Sequence, residues 1–348
     1  MLRVRFGRRE IGDRLPVYVI AEAGSNHNGN FDQALRLIDV AAGAGADAVK
    51  FQTFKAARMY PETAGESDYL RTPKSIYRII EEMEMPDAWI PELARYCGDK
   101  QIEFMSTPFD ERSADLLAPH LSVFKLASYE LSHTPLLRHV ARFGKPIVLS
   151  TGAHDLNEVL AAVEAIRQEG NEQLVLLQCT ARYPAPPAAI NAAALTTLRS
   201  ATGKLVGLSD HSRDPVIAPV VATALGAAVI EKHFTLSNQL PGPDHQFAVE
   251  PHELAQMVAA VRMAEAVVGH GEKHVLDDEA ELRAFARRSI FTTRSVPPGE
   301  LLSGTNVAVL RCGKLGYGLP PAELANVLGK RAARELPPDT PLRPGDFL

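Results

Sequence analysis

The sequence predicts an α/β protein, a (β/α)8 barrel followed by a small second domain. Three observations point there. Eight short apolar, β-branched runs recur along the 348 residues, each ending in polar or ionisable side chains. Helical patterns separate most of them, and after about residue 270 the texture changes to short segments rich in Pro and Gly. Near-continuous apolar runs suit strands of a parallel sheet covered on both faces, and eight β-then-α units fit a barrel of roughly 250 residues.

The runs are VYVIAEAG (17–24), ADAVKFQ (46–52), IEFMSTPF (102–109), VFKLASYE (123–130), PIVLSTG (146–152), LVLLQCTARYP (174–184), KLVGLSDHS (204–212) and AVIEKHFT (228–235). FDQALRLIDVAAGAG (31–45) keeps apolar residues at helical spacing and stops at Gly43 and Gly45. DLNEVLAAVEAIRQEG (155–170) reads as a capped helix, with Asp155 before the run, Glu158 three residues on and Gly170 at its end. Residues 214–226 and 251–269 repeat the pattern, while the long gap at 53–101 reads as an active-site excursion followed by the usual helix. An open doubly wound sheet is the alternative, but GxGxxG does not follow the first run. The expected organisation is a TIM barrel over 1–270, a charged linker over 271–284 and a small domain over 285–348.

Composition narrows the function. The chain is 46% hydrophobic and 23% charged, with a net charge of −5 and no Lys/Arg-rich run, which argues against nucleic acid or an anionic membrane as partner. Local positive charge can still hold a small anion. Cys97, Cys179 and Cys312 lie far apart and make no CxxC pair, so a reducing compartment is expected. MLRVRFGRRE lacks a signal-like apolar region and no run reaches membrane-spanning length, which leads to the expectation of a cytoplasmic protein.

In such a barrel the active site lies at the C-terminal ends of the strands. The polar ends, in order, are Glu22; Lys50 and Gln52; Ser106 and Thr107; Lys125, Ser128 and Glu130; Ser150 and Thr151; Tyr183; Ser209, Asp210 and His211; and Glu231, Lys232 and His233. Asp244 and His245 follow on the last loop. A lone histidine here ordinarily hydrogen-bonds within the wall. His211 and His233 end adjacent strands, where two imidazoles can share a divalent metal with open positions. A lysine in a buried strand needs an anionic partner. For Lys50 and Lys125 that partner is Glu22 or Glu130, or a bound phosphate or carboxylate with Thr107, Ser128, Ser150 and Ser209 as further donors. A lysine Schiff base is a third reading. Glu22 is a candidate general acid/base, or else a salt-bridge partner of Lys50. His27 makes no HxH pair of the kind a metal-dependent barrel hydrolase would carry.

These motifs resemble the sialic acid synthase family, whose members join phosphoenolpyruvate to an N-acyl amino sugar. The matching blocks are AEAGSNHNGN, AVKFQTF, FMSTPFD, FKLASYE, PIVLSTG, QCTARYP, GLSDHS, EKHFT and PGPDH, in order over nearly the whole chain. The tail block RRSIFTTRSVPPGELLSGTNVAVLR resembles the family's C-terminal antifreeze-like (SAF) domain.

The resemblance implies that His211 and His233 hold Mn2+, with Mg2+ or Co2+ as alternatives. It implies that Lys50, Thr107, Lys125, Ser128, Ser150 and Ser209 cradle phosphoenolpyruvate. Glu22, Gln52, Tyr183 and Asp244 would face the sugar or a water at the metal, and Glu130 stands with the substrate-binding residues. Arg311 matches an arginine presented to the sugar's acyl group from the other subunit of a domain-swapped homodimer, and Phe285 matches an aromatic lining the same site. Arg71 and Thr72, near a point where relatives carry Asn, and Ala181, where Asn is often found, depart from the pattern on the sugar side. N-acetylmannosamine is the first expected acceptor, its 6-phosphate or a diacetamido sugar the alternatives. Outside this reading stand a metal-dependent barrel hydrolase or aldolase and a non-catalytic glycan-binding protein.

Overall fold

The computed structural model describes residues 2–66 and 74–348. They divide into two compact units, one ending at His270 and one running from Gly271 to Leu348.

The first unit begins with a hairpin of strands β1 (Arg3–Phe6) and β2 (Arg9–Gly12), which the sequence reading did not foresee. Eight strands follow: β3 (Tyr18–Gly24), β4 (Ala48–Thr53), β5 (Glu103–Pro108), β6 (Phe124–Leu126), β7 (Ile147–Ser150), β8 (Leu174–Cys179), β9 (Leu205–Asp210) and β10 (Val229–His233). Seven fall inside one of the eight apolar runs, and β4 overruns its run by one residue, Thr53. They form a parallel sheet in the order β5-β4-β3-β10-β9-β8-β7-β6, with β5 and β6 side by side at the seam. This is a nearly closed barrel with helices in the connections.

The helices start where their caps dictate. Asn30 accepts from the Gln33 amide at the start of Phe31–Gly43. Asp155 and Glu158 close a reciprocal capping box on Leu156–Gln168. The excursion after β4 holds helices Ala56–Met59 and Ile76–Glu82 before the longer Trp89–Asp99. Arg71 and Thr72 lie outside the described residues.

Side chains alternate across each strand with a period of two. One set, including Val19, Val49, Phe51, Phe104, Leu149, Leu176 and Ile230, packs with Leu37, Leu93, Leu137 and Ile166 of the surrounding helices. The other set, including Tyr18, Ile20, Ala48, Met105, Val123, Val148, Val175, Leu177, Leu205 and Val229, packs with Val4, Phe6 and Ile11 of the hairpin. The hairpin therefore fills the N-terminal end of the barrel interior, with Phe6 edge-on to Tyr18 at a centroid distance of 5.2 Å. Each fully buried side chain of this kind contributes about 1.5–3 kcal/mol.

The second unit pairs β11 (Arg288–Thr292) antiparallel with β12 (Val307–Arg311) around a core that includes Ile290, Val296, Leu302, Val327, Leu336 and Leu342. The segment read as a linker carries a helix, Ala280–Ala286. No helix among the described residues is long and apolar enough to cross a membrane.

Candidate active site

The alternation that fills the lower barrel also builds the site. Two residues beyond Ile20, Ala48, Met105, Val123, Val148 and Val229 on the same face stand Glu22, Lys50, Thr107, Lys125, Ser150 and Glu231. Apolar side chains floor the barrel, and polar ones line it near the C-terminal end.

Lys50 and Lys125 are almost fully enclosed, 3% and 2% exposed. Lys50 Nζ lies 2.9 Å from Glu22 Oε2 and 3.6 Å from Glu231 Oε2, and donates to Thr107 Oγ1 at 3.0 Å. Lys125 Nζ donates to Ser150 Oγ at 2.7 Å and to the Leu126 carbonyl at 2.8 Å, with Glu231 Oε1 at 3.7 Å. Of the two partners expected from sequence, Glu22 pairs with Lys50. Lys125 faces Glu231, which the sequence reading placed at a strand end without a role, rather than Glu130. Burial alone would lower the Lys50 pKa, but the Glu22 and Glu231 carboxylates outweigh it and raise it. For Lys125 burial prevails over Glu231, with Lys50 adding repulsion, and its pKa falls. Burial opposes the charge on Glu231, but the two ammonium groups and a Ser209 hydrogen bond of 2.8 Å hold its pKa down at about 2.

Glu130 stands on the turn after β6, its carboxyl pushed up to about 7 by burial. Ser128, at the start of that turn, accepts from the Gly152 amide at 3.0 Å. Gln52 donates to Glu22 Oε1 at 2.7 Å. Gly24 adopts φ +53°, and a Cβ there would stand 3.3–3.5 Å from Glu22, Asp244 and Gln52, so a glycine lets these three polar side chains converge.

The histidine rings meet at 5.4 Å between centroids. His211 Nδ1 donates to the Thr180 carbonyl at 2.8 Å, which leaves Nε2 with its lone pair. His233 Nδ1 is buried 3.4 Å from Asp244 Oδ2 and closes no hydrogen bond among the described residues. One imidazole with a fixed tautomer beside another with an orphaned nitrogen fits a divalent ion, with water or substrate oxygens completing the shell. Tyr183 stacks on His211 at 4.0 Å, and Phe247 packs on both Tyr183 and His233. Above these rings opens a cavity of about 1370 Å³, lined among others by Ala181, Arg182, Tyr183, Arg213, Asp244 and Phe247.

Three further features were not foreseen. Glu231 bridges the lysines. The Cys179 thiol lies 3.8 Å from His211 Nδ1. Asp210 and Lys232 form a buried pair at 2.6 Å, and Lys232 also donates to the Ser212 carbonyl at 2.6 Å. This pair ties together the chain on either side of His211 and the residue before His233. The alternation was a usable signal, since Asp210 and Lys232 have the parity opposite to Ser209 and Glu231. Phe285 and Arg311 belong to the second unit. Phe285 is 46% exposed on the helix Ala280–Ala286, and Arg311 is exposed at the end of β12. His27 is buried and accepts from the Gly29 amide, and burial holds its pKa near 4.

Fold and site together define a barrel enzyme with its polar centre at the C-terminal mouth. The model of the NeuB family matches residues 37–273 and that of the SAF domain matches residues 287–348. The chain belongs to the NeuB family, with a SAF domain after the barrel, and is a synthase of that family. It is 44% identical to the spore coat polysaccharide biosynthesis protein SpsE of Bacillus subtilis (strain 168), over 100% of this chain and 98% of that protein. It is 39% identical to the N,N'-diacetyllegionaminic acid synthase of Legionella pneumophila, over 97% and 96%. The crystal structure of N-acetylneuraminic acid (sialic acid) synthetase from Leptospira borgpetersenii, in complex with citrate, superposes with a TM-score of 0.74 at 32% identity, over 81% of this chain and 95% of that one.

Proposed function

We propose that this synthase condenses phosphoenolpyruvate with an N-acyl amino sugar and water, giving a 2-keto acid and inorganic phosphate. Six sugar carbons and three from phosphoenolpyruvate make a nine-carbon product. The observation that carries the reading is the convergence of Lys50, Lys125 and their hydroxyl neighbours with the His211–His233 pair on one inner face. The sialic- and legionaminic-acid synthases among the relatives support it.

A divalent ion held by His211 and His233, Mn2+ in the first instance, would polarise the acceptor aldehyde as a Lewis acid. The chain's own groups do the rest. Lys50 and Lys125, with Thr107, Ser128, Ser150 and Ser209, hold the phosphate and carboxylate of phosphoenolpyruvate. Its C3 forms the new bond to the aldehyde carbon, whose oxygen takes up a proton. C2 becomes electron-poor, and a water oxygen adds there, its proton passing to Glu22, which Lys50 and Gln52 hold in place. The C2–O bond to phosphate then breaks, phosphate leaves with the electron pair, and the C2 hydroxyl loses its proton to leave the ketone. Tyr183, Asp244 and Glu130 shape the acceptor side. Glu22 and Glu231 already balance Lys50 and Lys125, so an anionic substrate calls for further positive charge, which a divalent ion provides.

N-acetylmannosamine is the first acceptor from the sequence. A diacetamido sugar is the second reading, favoured by the 39% identity to the Legionella enzyme. In the same reading Arg311 and Phe285 serve the site of a partner subunit in a domain-swapped homodimer, working in the cytoplasm. A panel of acceptors mixed with phosphoenolpyruvate, read by phosphate release and product mass, tests the reading.

A further inference from the structure

Strand β9 leads into His211 and β10 ends in His233, and the two strands are joined on both faces. On the inner face Ser209 donates to Glu231 at 2.8 Å. On the outer face, packed against the helices, Leu208 pairs with Ile230 and, one period farther, Asp210 pairs with Lys232. The apolar pair gives way to an ionic one at the level of the histidines, with both charged groups buried. Lys232 Nζ lies 2.6 Å from Asp210 Oδ2 and donates to the Ser212 carbonyl at 2.6 Å. Asp210 in turn accepts from the Ser212 amide at 2.8 Å and from its hydroxyl at 3.1 Å. The residues before and after His211 are thus both fastened to the residue before His233. An apolar pair would close this part of the wall equally well, because the cost of taking two charges out of water offsets most of their attraction. The ionic pair differs in direction: its bonds fix where residues 210, 212 and 232 stand relative to one another.

We infer that Asp210 and Lys232 are positioning residues for the divalent ion: the pair holds His211 and His233 at the separation the ion needs and adds little net stability to the fold. The inference rests on the reading of the two histidines as metal ligands. The pair lies on the face of the wall opposite to Glu231 and His233, so it acts through the backbone of the histidines and not on the substrate. Thr180 and Asp244 stand beside the rings themselves, at 2.8 Å from His211 Nδ1 and 3.4 Å from His233 Nδ1. Those neighbours orient the rings, while the outer pair sets the distance between them, 5.4 Å from centroid to centroid.

The test measures Mn2+ binding to the metal-free, full-length protein by electron paramagnetic resonance, without substrates. Thermal melting and titration of phosphoenolpyruvate into the metal-free protein accompany it. Lys232→Met alone leaves the Asp210 charge buried and unpaired, and should melt well below the wild type. Asp210→Asn combined with Lys232→Met removes both charges and keeps an acceptor for the Ser212 amide. This double variant is expected to recover most of the lost melting temperature and to bind phosphoenolpyruvate like the wild type, yet to hold Mn2+ about 10- to 100-fold more weakly. Mn2+ affinity within about three-fold of the wild type in the double variant overturns the inference. So does a loss of Mn2+ matched by equal losses of phosphoenolpyruvate binding and melting temperature, which marks the pair as structural only. If the double variant does not fold, Asp210→Asn alone, which keeps the shape of the pair, decides on the same readouts, with a loss of about three- to ten-fold expected. Failure of the wild type to bind Mn2+ overturns the metal reading itself and the inference with it, whereas unchanged affinity in the double variant leaves that reading standing.

Discussion

The Glu231 carboxylate lies 3.7 Å from the Lys125 ammonium and, through its other oxygen, 3.6 Å from Lys50, with all three groups buried. One carboxylate thus separates two like charges that would otherwise repel across the barrel. Substituting Glu231→Gln keeps the shape and the Ser209 contact but leaves both lysines with less counter-charge. Removing one partner of a buried pair costs about 3–5 kcal/mol, so a clear fall in melting temperature is expected. If the lysines hold an anion, phosphoenolpyruvate should restore more stability to this variant than to the wild type. Thermal melting with and without phosphoenolpyruvate decides; an equal shift in both proteins speaks against an anion site at the lysines.

Glu130 supplies a pH signature of opposite sign to that of Glu231. Its folded-state pKa is raised from the usual 4.5 to about 7 by burial, so its contribution to stability is present below about 4.5 and is lost as pH rises through about 7. Glu130→Gln cannot lose that contribution. Between pH 5 and pH 8 the variant should lose less stability than the wild type in urea unfolding, and parallel curves would remove Glu130 as the cause. Glu231, held down at about 2, contributes stability above its usual 4.5 that is lost as pH falls toward 2.

His211→Ala and His233→Ala should each lose both bound Mn2+ and turnover. Chelation of the wild type should abolish phosphate release, and added Mn2+ should restore it. Elemental analysis of dialysed protein gives a readout independent of turnover. A stoichiometric metal content in either variant would refute the assignment of the two histidines.

The proposed domain swap makes a complementation prediction. Arg311→Ala and Lys125→Met are each expected to be inactive. If Arg311 serves the partner's site, mixing them under subunit exchange gives about half mixed dimers, each with one intact site, and activity near a quarter of wild type. Failure to complement, with exchange verified, would mean that Arg311 acts on its own chain or not at all.

Much of the inner face was legible because two periodicities coincide. The same alternation that buries Tyr18 and Ile20 delivers Glu22, and the rule that barrel sites sit at strand ends tells where to look. What the sequence lacked was the meeting of strands across the interior. Glu231 and Lys125 are on strands that are not neighbours in the sheet, and their contact depends on barrel closure rather than on any local spacing. The hairpin was missed for another reason. Val4 and Phe6 alternate with Arg3 and Arg5 over only four residues, with Gly7 at the turn, and so short a stretch becomes a strand pair through its packing in the barrel floor rather than through local pattern alone.

The most direct test of the central claim follows an oxygen atom. Phosphoenolpyruvate carrying 18O in the bridge between C2 and phosphorus is mixed with the Mn2+-loaded protein and a panel of N-acetylmannosamine and diacetamido acceptors. Condensation with C–O cleavage is expected to place the label in the released phosphate and to yield a nine-carbon 2-keto acid of the corresponding mass from at least one acceptor. Label retained in the organic product, or no phosphate released with any acceptor, would contradict it.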